Sequence, residues 1–244
     1  MLVKSQVKYI QSLGHKKHRD EDGVFIAEGP KLINELLNAT QLQPVNLFAT
    51  REWLEANRSG IFEKEVVEVS ILELQRISFL TTANQVMGIF HKPIFPEIEI
   101  KGKITLVLDN IQDPGNLGTI VRIADWFGVQ HIVCSQDCAD VFNPKVVQAT
   151  MGSICRVQVL YTGLQDFLSA HGDIPVYATS LDGTHITDMS PMEEAILVFG
   201  NESKGIGAEL MHMIRNKITI PGRGEAESLN AAVAAGIILS HLVR

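Results

Sequence analysis

ITLVLDNIQDPGNLGTIVR, residues 104–122, starts as an apolar, β-branched run and turns at Asn110, Asp113, Pro114 and Gly115. It resumes with the apolar spacing of a helix. Two later segments repeat the plan. AILVF leads into FGNESKG at residues 199–205, and KITI leads into IPGRGEAESLNAAVAAG at residues 220–236. Runs of this kind read as buried parallel strands. In an open α/β sheet, the loops beyond the carboxyl ends of such strands are where ligands bind. Three of them, rich in Asn, Glu, Ser, Arg and Gly, point to one composite site.

Outward from these segments, strands and helices alternate along the chain. From residue 104 the order is ITLVLD, GNLGTIVRIADWFG, HIVCS, NPKVVQATMG, CRVQVLY, GLQDFLSAHG, PVYATS, AILVFG, GAELMHMIRN, KITIPG and a final SLNAAVAAGIILSHLVR helix. That pattern implies a parallel sheet covered by helices on both faces. The first hundred residues form a smaller α/β unit, with helices in VKYIQSLG, PKLINELLNA, REWLEANR and SILELQRISF and strands in VFIAEG, PVNLFAT, VVEVS and QVMGIFHK. KPIFPEIEIKGK breaks any periodicity and reads as a linker, so the expected domains are residues 1–97 and 98–244. The last helix carries Ala231, Ala232, Ala234, Ala235 and Gly236. Gly inside a helix costs about 1 kcal/mol relative to Ala, which predicts a close approach by another segment or a second subunit.

Composition narrows the function. Of 244 residues, 45% are hydrophobic and 20% charged, which is ordinary for a globular protein. No apolar run has membrane-spanning length and the N-terminus lacks a signal-peptide core, so a cytoplasmic location is expected. Cys134, Cys138 and Cys155 fit no metal-ligand spacing and read as buried thiols in a reducing compartment; no metal is expected. A net charge of −7 argues against broad nucleic-acid binding. The exception is the stretch before Asp20, where Lys16, Lys17 and Arg19 lie within HKKHR. They make either a contact for an anionic partner or a solvated face.

The glycines do not carry a nucleotide fingerprint. GNLG lacks G-x-G-x-x-G, HIVCS lacks a ribose-binding acid, and GNESKG lacks the phosphate-loop order, so an NAD enzyme and a P-loop NTPase are both disfavoured. Asp113 is the expected N-cap of the helix carrying Arg122. Arg122, flanked by Ile120, Val121, Ile123 and Ala124, is expected to be buried and therefore partnered, by Glu202 or by a substrate phosphate. Ser228 is a candidate cap for the last helix, with Asn230 in its first turn. Each residue has a local explanation, and only recurrence at three strand ends makes a site.

N-x-x-D-P-x-N-x-G-x-x-x-R, F-G-N-E-x-x-G and I-P…E-S-L-N-x-x-x-A-A-G together resemble the three motifs of the SpoU family, in order, spacing and strand context, over residues 104–244. FIAEGPKLINELL resembles the RNA substrate-binding domain, related to ribosomal proteins, that is often fused in front. The resemblance implies an α/β fold whose C-terminal parallel-sheet domain is tied in a deep trefoil knot, an exception to unknotted topology. It also implies an S-adenosylmethionine-dependent RNA ribose 2′-O-methyltransferase acting as a homodimer. By position, Gly200, Ile220 and Leu229 would line the cofactor pocket, with Thr179, Asn201 and Pro221 nearby. Asn116, Arg122, Glu202, Ser228 and Asn230 would stand at the reacting face.

A guanidinium stays protonated, so Arg122 is assigned to the phosphate beside the target ribose, not to proton abstraction. Two positions depart from many relatives: Ser203–Lys204 in the second motif and Ala232 after E-S-L-N. Because of the fused N-terminal domain, ribosomal RNA is favoured over transfer RNA as substrate. A non-catalytic RNA-binding or ribosome-assembly factor is the alternative from another class.

Overall fold

The computed structural model describes residues 2–39, 42–57 and 66–243. Arg58, which the sequence reading put in a helix, lies outside the described residues. Two compact units result, Met1–Phe95 with Asp140–Cys155, and Pro96–Ala139 with Arg156–Arg244.

The first unit opens with α1 (Lys4–Ser12) and α2 (Lys16–Asp22), followed by β1 (Val24–Glu28), α3 (Pro30–Asn38), β2 (Pro44–Ala49), α4 (Arg51–Ala56), β3 (Val66–Glu68), α5 (Ile71–Ile77) and β4 (Val86–His91). Its sheet runs β1-β4-β2-β3. β4 is antiparallel to both β1 and β2, and only β2 and β3 run parallel. Local chemistry sets the helix starts. Pro30 occupies the first turn of α3, where its missing N–H costs nothing. Ser70 and Glu73 cap α5 reciprocally. Glu73 also accepts the Leu2 N–H at 2.8 Å, and its bonds to Ser70 and Leu2 hold its carboxyl down to about 2.

The second unit begins with β5 (Ile104–Leu108), α6 (Pro114–Trp126) and β6 (His131–Cys134). The chain then returns to the first unit for α7 (Pro144–Thr150), which packs on β1. It comes back as β7 (Gln158–Tyr161), α8 (Leu164–Ala170), β8 (Val176–His185), β9 (Ala195–Phe199), α9 (Ala208–Met213), β10 (Asn216–Thr219) and α10 (Ala231–Leu242). The six strands are parallel in the order β10-β8-β9-β5-β6-β7. β5 and β9 are buried throughout, as their near-continuous apolar sequences require. Because β6 and β7 lie on one side of β5 while β9 and β8 lie on the other, the order reverses between β5 and β9. The loops leaving those two strands enter α6 and α9, which pack with different partners: α6 with α10, and α9 with α8. Such a reversal opens a crevice at the carboxyl ends.

β8 is longer than its sequence suggests. Tyr177 and Ala178 pair with Asn216 and Lys217, and pairing resumes only at Thr184 and His185. Residues 179–183 leave the ladder, and a Cβ on Gly183 would stand 2.5 Å from the backbone of Lys217 and Ile218. Only glycine admits that approach.

Three expectations are corrected. Arg122 is exposed: it shares a stripe with Gly115, Thr119 and Trp126, while its apolar neighbours Ile120, Val121 and Ala124 face inward. Arg19, expected at an anionic partner, is buried at 1% exposure, where its guanidinium donates to the Leu13 carbonyl at 2.7 Å and to Asp140 at 2.5 Å. For Gly236 the correction concerns the segment within the chain: a Cβ there would meet Ile123 Cδ1 of α6 at an ordinary 3.6 Å, so that contact does not require glycine.

Candidate active site

Asp113 caps α6 as expected, accepting the Asn116 N–H at 2.8 Å. This fixes the first turn and points the Asn116 amide back toward the loop after β9. Its Nδ2 donates to the Glu202 carboxylate, and its Oδ1 accepts Nδ2 of Asn230 at 2.8 Å. The Asn230 Oδ1 in turn accepts the N–H groups of Ala232 and Val233 at 3.0 and 3.2 Å and is the cap of α10. One amide therefore ties all three motif loops. Asn can do this because it donates and accepts from one side chain. The cap expected at Ser228 is thus corrected to Asn230; Ser228 stands exposed two residues earlier.

The loop after β9 is folded tightly on itself. Asn201 and Gly205 exchange backbone hydrogen bonds at 3.1 and 2.8 Å. A Cβ on Gly200 would lie 2.3 Å from the backbone of Gly205 and Ile206. The Asn201 side chain accepts the N–H groups of Ser203 and Lys204 and donates to the Asn110 carbonyl at 3.0 Å.

Gly200 and Asn201 follow β9, Thr179 follows the paired part of β8, and Ile220 and Pro221 follow β10. The structure thereby brings five of the six expected cofactor residues to the carboxyl ends of adjacent strands. Leu229, the sixth, is 45% exposed in a segment, residues 221–230, that is exposed throughout. Backbone groups of residues 221–229 make no hydrogen bond among the described residues. Among the described residues, no group of three or more His, Cys, Asp or Glu is placed to hold a metal.

Arg122 lies on α6 downstream of Asn116 and, among the described residues, forms no hydrogen bond or ion pair. Its charge is free for a ligand. In the first unit, Lys16 and Lys17 are exposed but sit one helical turn from Asp20 and Glu21, with which they pair. Arg19 is not available to any ligand.

Sequence reasoning missed Asp109 and Ser135, and gave Asn110, the first residue of the first motif, no role beyond the turn. Asn110 adopts φ +59°, a left-handed conformation that Asn tolerates better than most residues. Its N–H donates to Ser135 Oγ at 2.9 Å. Asp109 accepts the Gly207 N–H at 2.7 Å. An Asp-Asn pair directly after an apolar strand is the signal that could have found them. A cleft of about 410 Å³, open to solvent, is lined by Asp109, Ser135, Thr162, Gly207 and Glu209 and includes none of the expected cofactor residues.

Comparison with known proteins agrees with this geometry. The model of the SpoU rRNA Methylase family matches residues 103–240, and that of the MRM3-like substrate binding domain matches residues 4–88. The 23S rRNA (guanosine(2553)-2'-O)-methyltransferase RlmP of Bacillus subtilis is 31% identical, over 97% of this chain and 95% of the relative. A solved structure from Porphyromonas gingivalis, described as an RNA methyltransferase of the TrmH family, is 41% identical with a TM-score of 0.86. It covers 99% of this chain and 98% of its own. The AdoMet-bound rRNA methyltransferase from Sinorhizobium meliloti is 33% identical with a TM-score of 0.84, covering 99% and 95%. With three strand-end loops joined through Asn116 and more than half of its length matched by the family model, the chain belongs to the SpoU rRNA methylase family.

Proposed function

We propose that this protein transfers a methyl group from S-adenosylmethionine to a ribose 2′-hydroxyl in ribosomal RNA. The observation that carries the reading is the Glu202–Asn116–Asn230 chain, which assembles three loops at the start of the helix that also carries the exposed Arg122. The full-length likeness to a 23S rRNA 2'-O-methyltransferase and to an AdoMet-bound rRNA methyltransferase supports the substrate class and the cofactor.

The residues present fit such a cofactor. Free backbone donors and acceptors in residues 221–229 suit a ligand held by main-chain groups, beside Thr179, Gly200, Asn201, Ile220 and Pro221. When bound, the cofactor supplies an electrophilic methyl group on a sulfonium. What remains for the protein is alignment of the hydroxyl and removal of one proton. Arg122 holds the phosphate next to the target ribose through charge-assisted hydrogen bonds. Asn116, Glu202 and Asn230 fix the loops around it, and Ser228 contacts the nucleotide from the exposed segment.

The first unit is the RNA-binding platform, with the exposed Lys16 and Lys17 exchanging their acidic neighbours Asp20 and Glu21 for the phosphate backbone. A trefoil knot in the second unit is supported by the path of the C-terminus. After β10 the chain returns over α6, and Val243 pairs with Met192. A homodimer through α6 and α10 is supported by their exposed apolar residues, Trp126 at 84%, Val233 at 51% and Ile237 at 37%. The buried Cys134 and Cys138, in no disulfide, suit the cytoplasm. Among the described residues, no helix is long and apolar enough to cross a membrane.

The test combines calorimetric titration with S-adenosylhomocysteine, using NAD as control, with methyl transfer to ribosomal RNA transcripts. Wild-type protein is expected to bind the homocysteine compound alone and to methylate. Arg122→Ala is expected to keep that binding and its thermal stability while losing turnover. A folded protein that binds no homocysteine compound would instead be an RNA-binding factor, and full activity of the variant would remove Arg122 from the mechanism.

A further inference from the structure

The open cleft of about 410 Å³ has no part in the methyl-transfer reading. Its floor comes from successive strand ends: Asp109 follows β5, Ser135 and Gln136 follow β6, and Thr162 follows β7. Leu164 and Leu210, from the first turns of α8 and α9, add apolar surface. The volume falls in the range of roughly 300–1,000 Å³ typical of small-ligand sites. In the sheet order the cleft lies beside the strand ends that carry the expected cofactor residues, not among them.

One loop joins the two places. Residues 200–207 begin in the second motif, where Glu202 is bonded to Asn116, and end at Gly207 in the cleft wall. The Gly207 N–H donates to Asp109 Oδ2 at 2.7 Å. Asn110 ties them again, because its N–H donates to Ser135 in the cleft and its carbonyl accepts the Asn201 amide. A group seated in the cleft is thus next to whatever the three-loop junction holds.

The lining selects the occupant. Among the described residues, no Lys or Arg lines the cleft, whereas Asp109 and Glu209 do. Two carboxylates repel a phosphate, so the occupant is not the RNA backbone. One oxygen of Asp109 is taken by Gly207, and one of Glu209 by Gln165 Nε2 at 2.9 Å. The second oxygen of each carboxylate, and the side chains of Gln136 and Thr162, have no hydrogen-bond partner among the described residues. The site therefore offers anchored acceptors, an amide and apolar surface, which suits a flat, neutral group with adjacent donors.

We propose that this cleft holds a guanine base of the RNA substrate and that Asp109 reads its Watson–Crick edge, a subsite that rests on the methyltransferase reading above. Among the four bases only guanine carries two neighbouring donors, N1–H and N2–H₂, beside an acceptor, O6. Adenine and cytosine present a bare ring nitrogen there, and uracil has one donor between two acceptors. Asp109 Oδ1 accepts from N1–H, Glu209 from N2–H₂, and the Gln136 amide donates to O6. Unstacked bases are commonly recognised along this edge.

The test is equilibrium dialysis of the full chain against tritiated guanosine, adenosine, cytidine and uridine. Guanosine should bind tighter than the others by about tenfold or more, as a bidentate base contact discriminates. Inosine, which lacks N2–H₂, and 1-methylguanosine, which lacks N1–H, should compete poorly. Asp109→Asn keeps an oxygen for the Gly207 N–H but turns an NH₂ group to the cleft, so guanosine should lose its lead over adenosine. A role confined to holding Gly207 would leave that ratio unchanged. If that variant does not fold, Gln136→Ala, at an exposed position, should weaken guanosine by about threefold or more. Nucleosides that bind equally or not at all overturn the proposal, as does a cleft that takes spermidine in place of guanosine. S-adenosylhomocysteine titrated alone tests the cofactor reading separately: guanosine bound by a protein that ignores it would refute the enzyme and keep the base site. Nucleoside analysis of methylated ribosomal RNA identifies the source of the base. A 2′-O-methylguanosine makes it the target's own, and any other methylated nucleoside makes it a neighbour's.

Discussion

Replacing Asn116 by Asp changes one NH₂ group to an oxygen and removes the only donor that the three-loop junction has at that position. Asn116 gives a proton to the Glu202 carboxylate and takes one from Asn230. Alanine forfeits both bonds. A bond to a charged group contributes about 1.5–3 kcal/mol and a neutral one about 1. The bond to Glu202 is only partly buried and the one to Asn230 is exposed, so less than the lower end of that sum applies, and roughly 1–2 kcal/mol is lost. At about 1.4 kcal/mol per decade, that is roughly 5- to 30-fold in kcat/KM. Aspartate keeps the acceptor for Asn230 but sets a carboxylate against Glu202. Two like charges about 4 Å apart repel by about 1 kcal/mol in water and about 4 near a protein surface. Asn116→Asp should therefore be worse than Asn116→Ala by at least fivefold, despite its closer shape. Methyl transfer under single-turnover conditions measures both variants, and denaturant melts confirm that each is folded. Equal rates, or a faster aspartate variant, would refute the junction as the organiser of the site.

Other perturbations follow from the same geometry. Gly200→Ala forces a methyl group against the backbone of Gly205 and Ile206. It should cost about 1–3 kcal/mol of stability and weaken S-adenosylhomocysteine binding more than tenfold; calorimetry showing unaltered affinity would contradict this. Asp140→Ala strands the buried Arg19 charge. Removing one partner of a buried pair costs about 3–5 kcal/mol, and 14% exposure of Asp140 reduces the expectation to about 2–4. A urea melt moved by less than 1 kcal/mol would count against it. His131 is buried, and burial, aided by the Lys103 charge and only partly offset by Glu99, lowers its pKa below 6.5. The unfolded chain then binds a proton that the folded ring resists. Stability should fall as pH drops below 6.5, and His131→Phe should flatten that slope in melts across pH 5–7.

Much of this was legible because polar loops after apolar strands announce themselves locally. The strands on either side of the crevice, the cap of α6, and the convergence of three motifs could all be read from neighbouring residues. What escaped depended on distant partners. Arg19 looked like one of several basic residues because its acid, Asp140, is 121 positions away. Arg122 looked buried because its sequence neighbours are apolar, yet the helical repeat sets it beside Thr119 and Trp126, not Ile120 and Ala124. The excursion of β8 is imposed by the register of β10, which no feature of PVYATS encodes. The bond from Asn116 to Asn230 joins residues 114 apart, and only the sheet order brings them together.

The return of α7 to the first unit bears on how the protein is made. A ribosome that has released the chain through Phe95 has not yet supplied Asp140–Cys155, which completes that unit and covers β1. At about 5–20 residues per second, the remaining sixty take roughly 3–12 s. During that interval β5 and β6 have also emerged, without β7, β8 or β9 to flank them. Nascent chains of this protein therefore carry two incomplete cores at once, a demand on chaperones that its size alone would not predict.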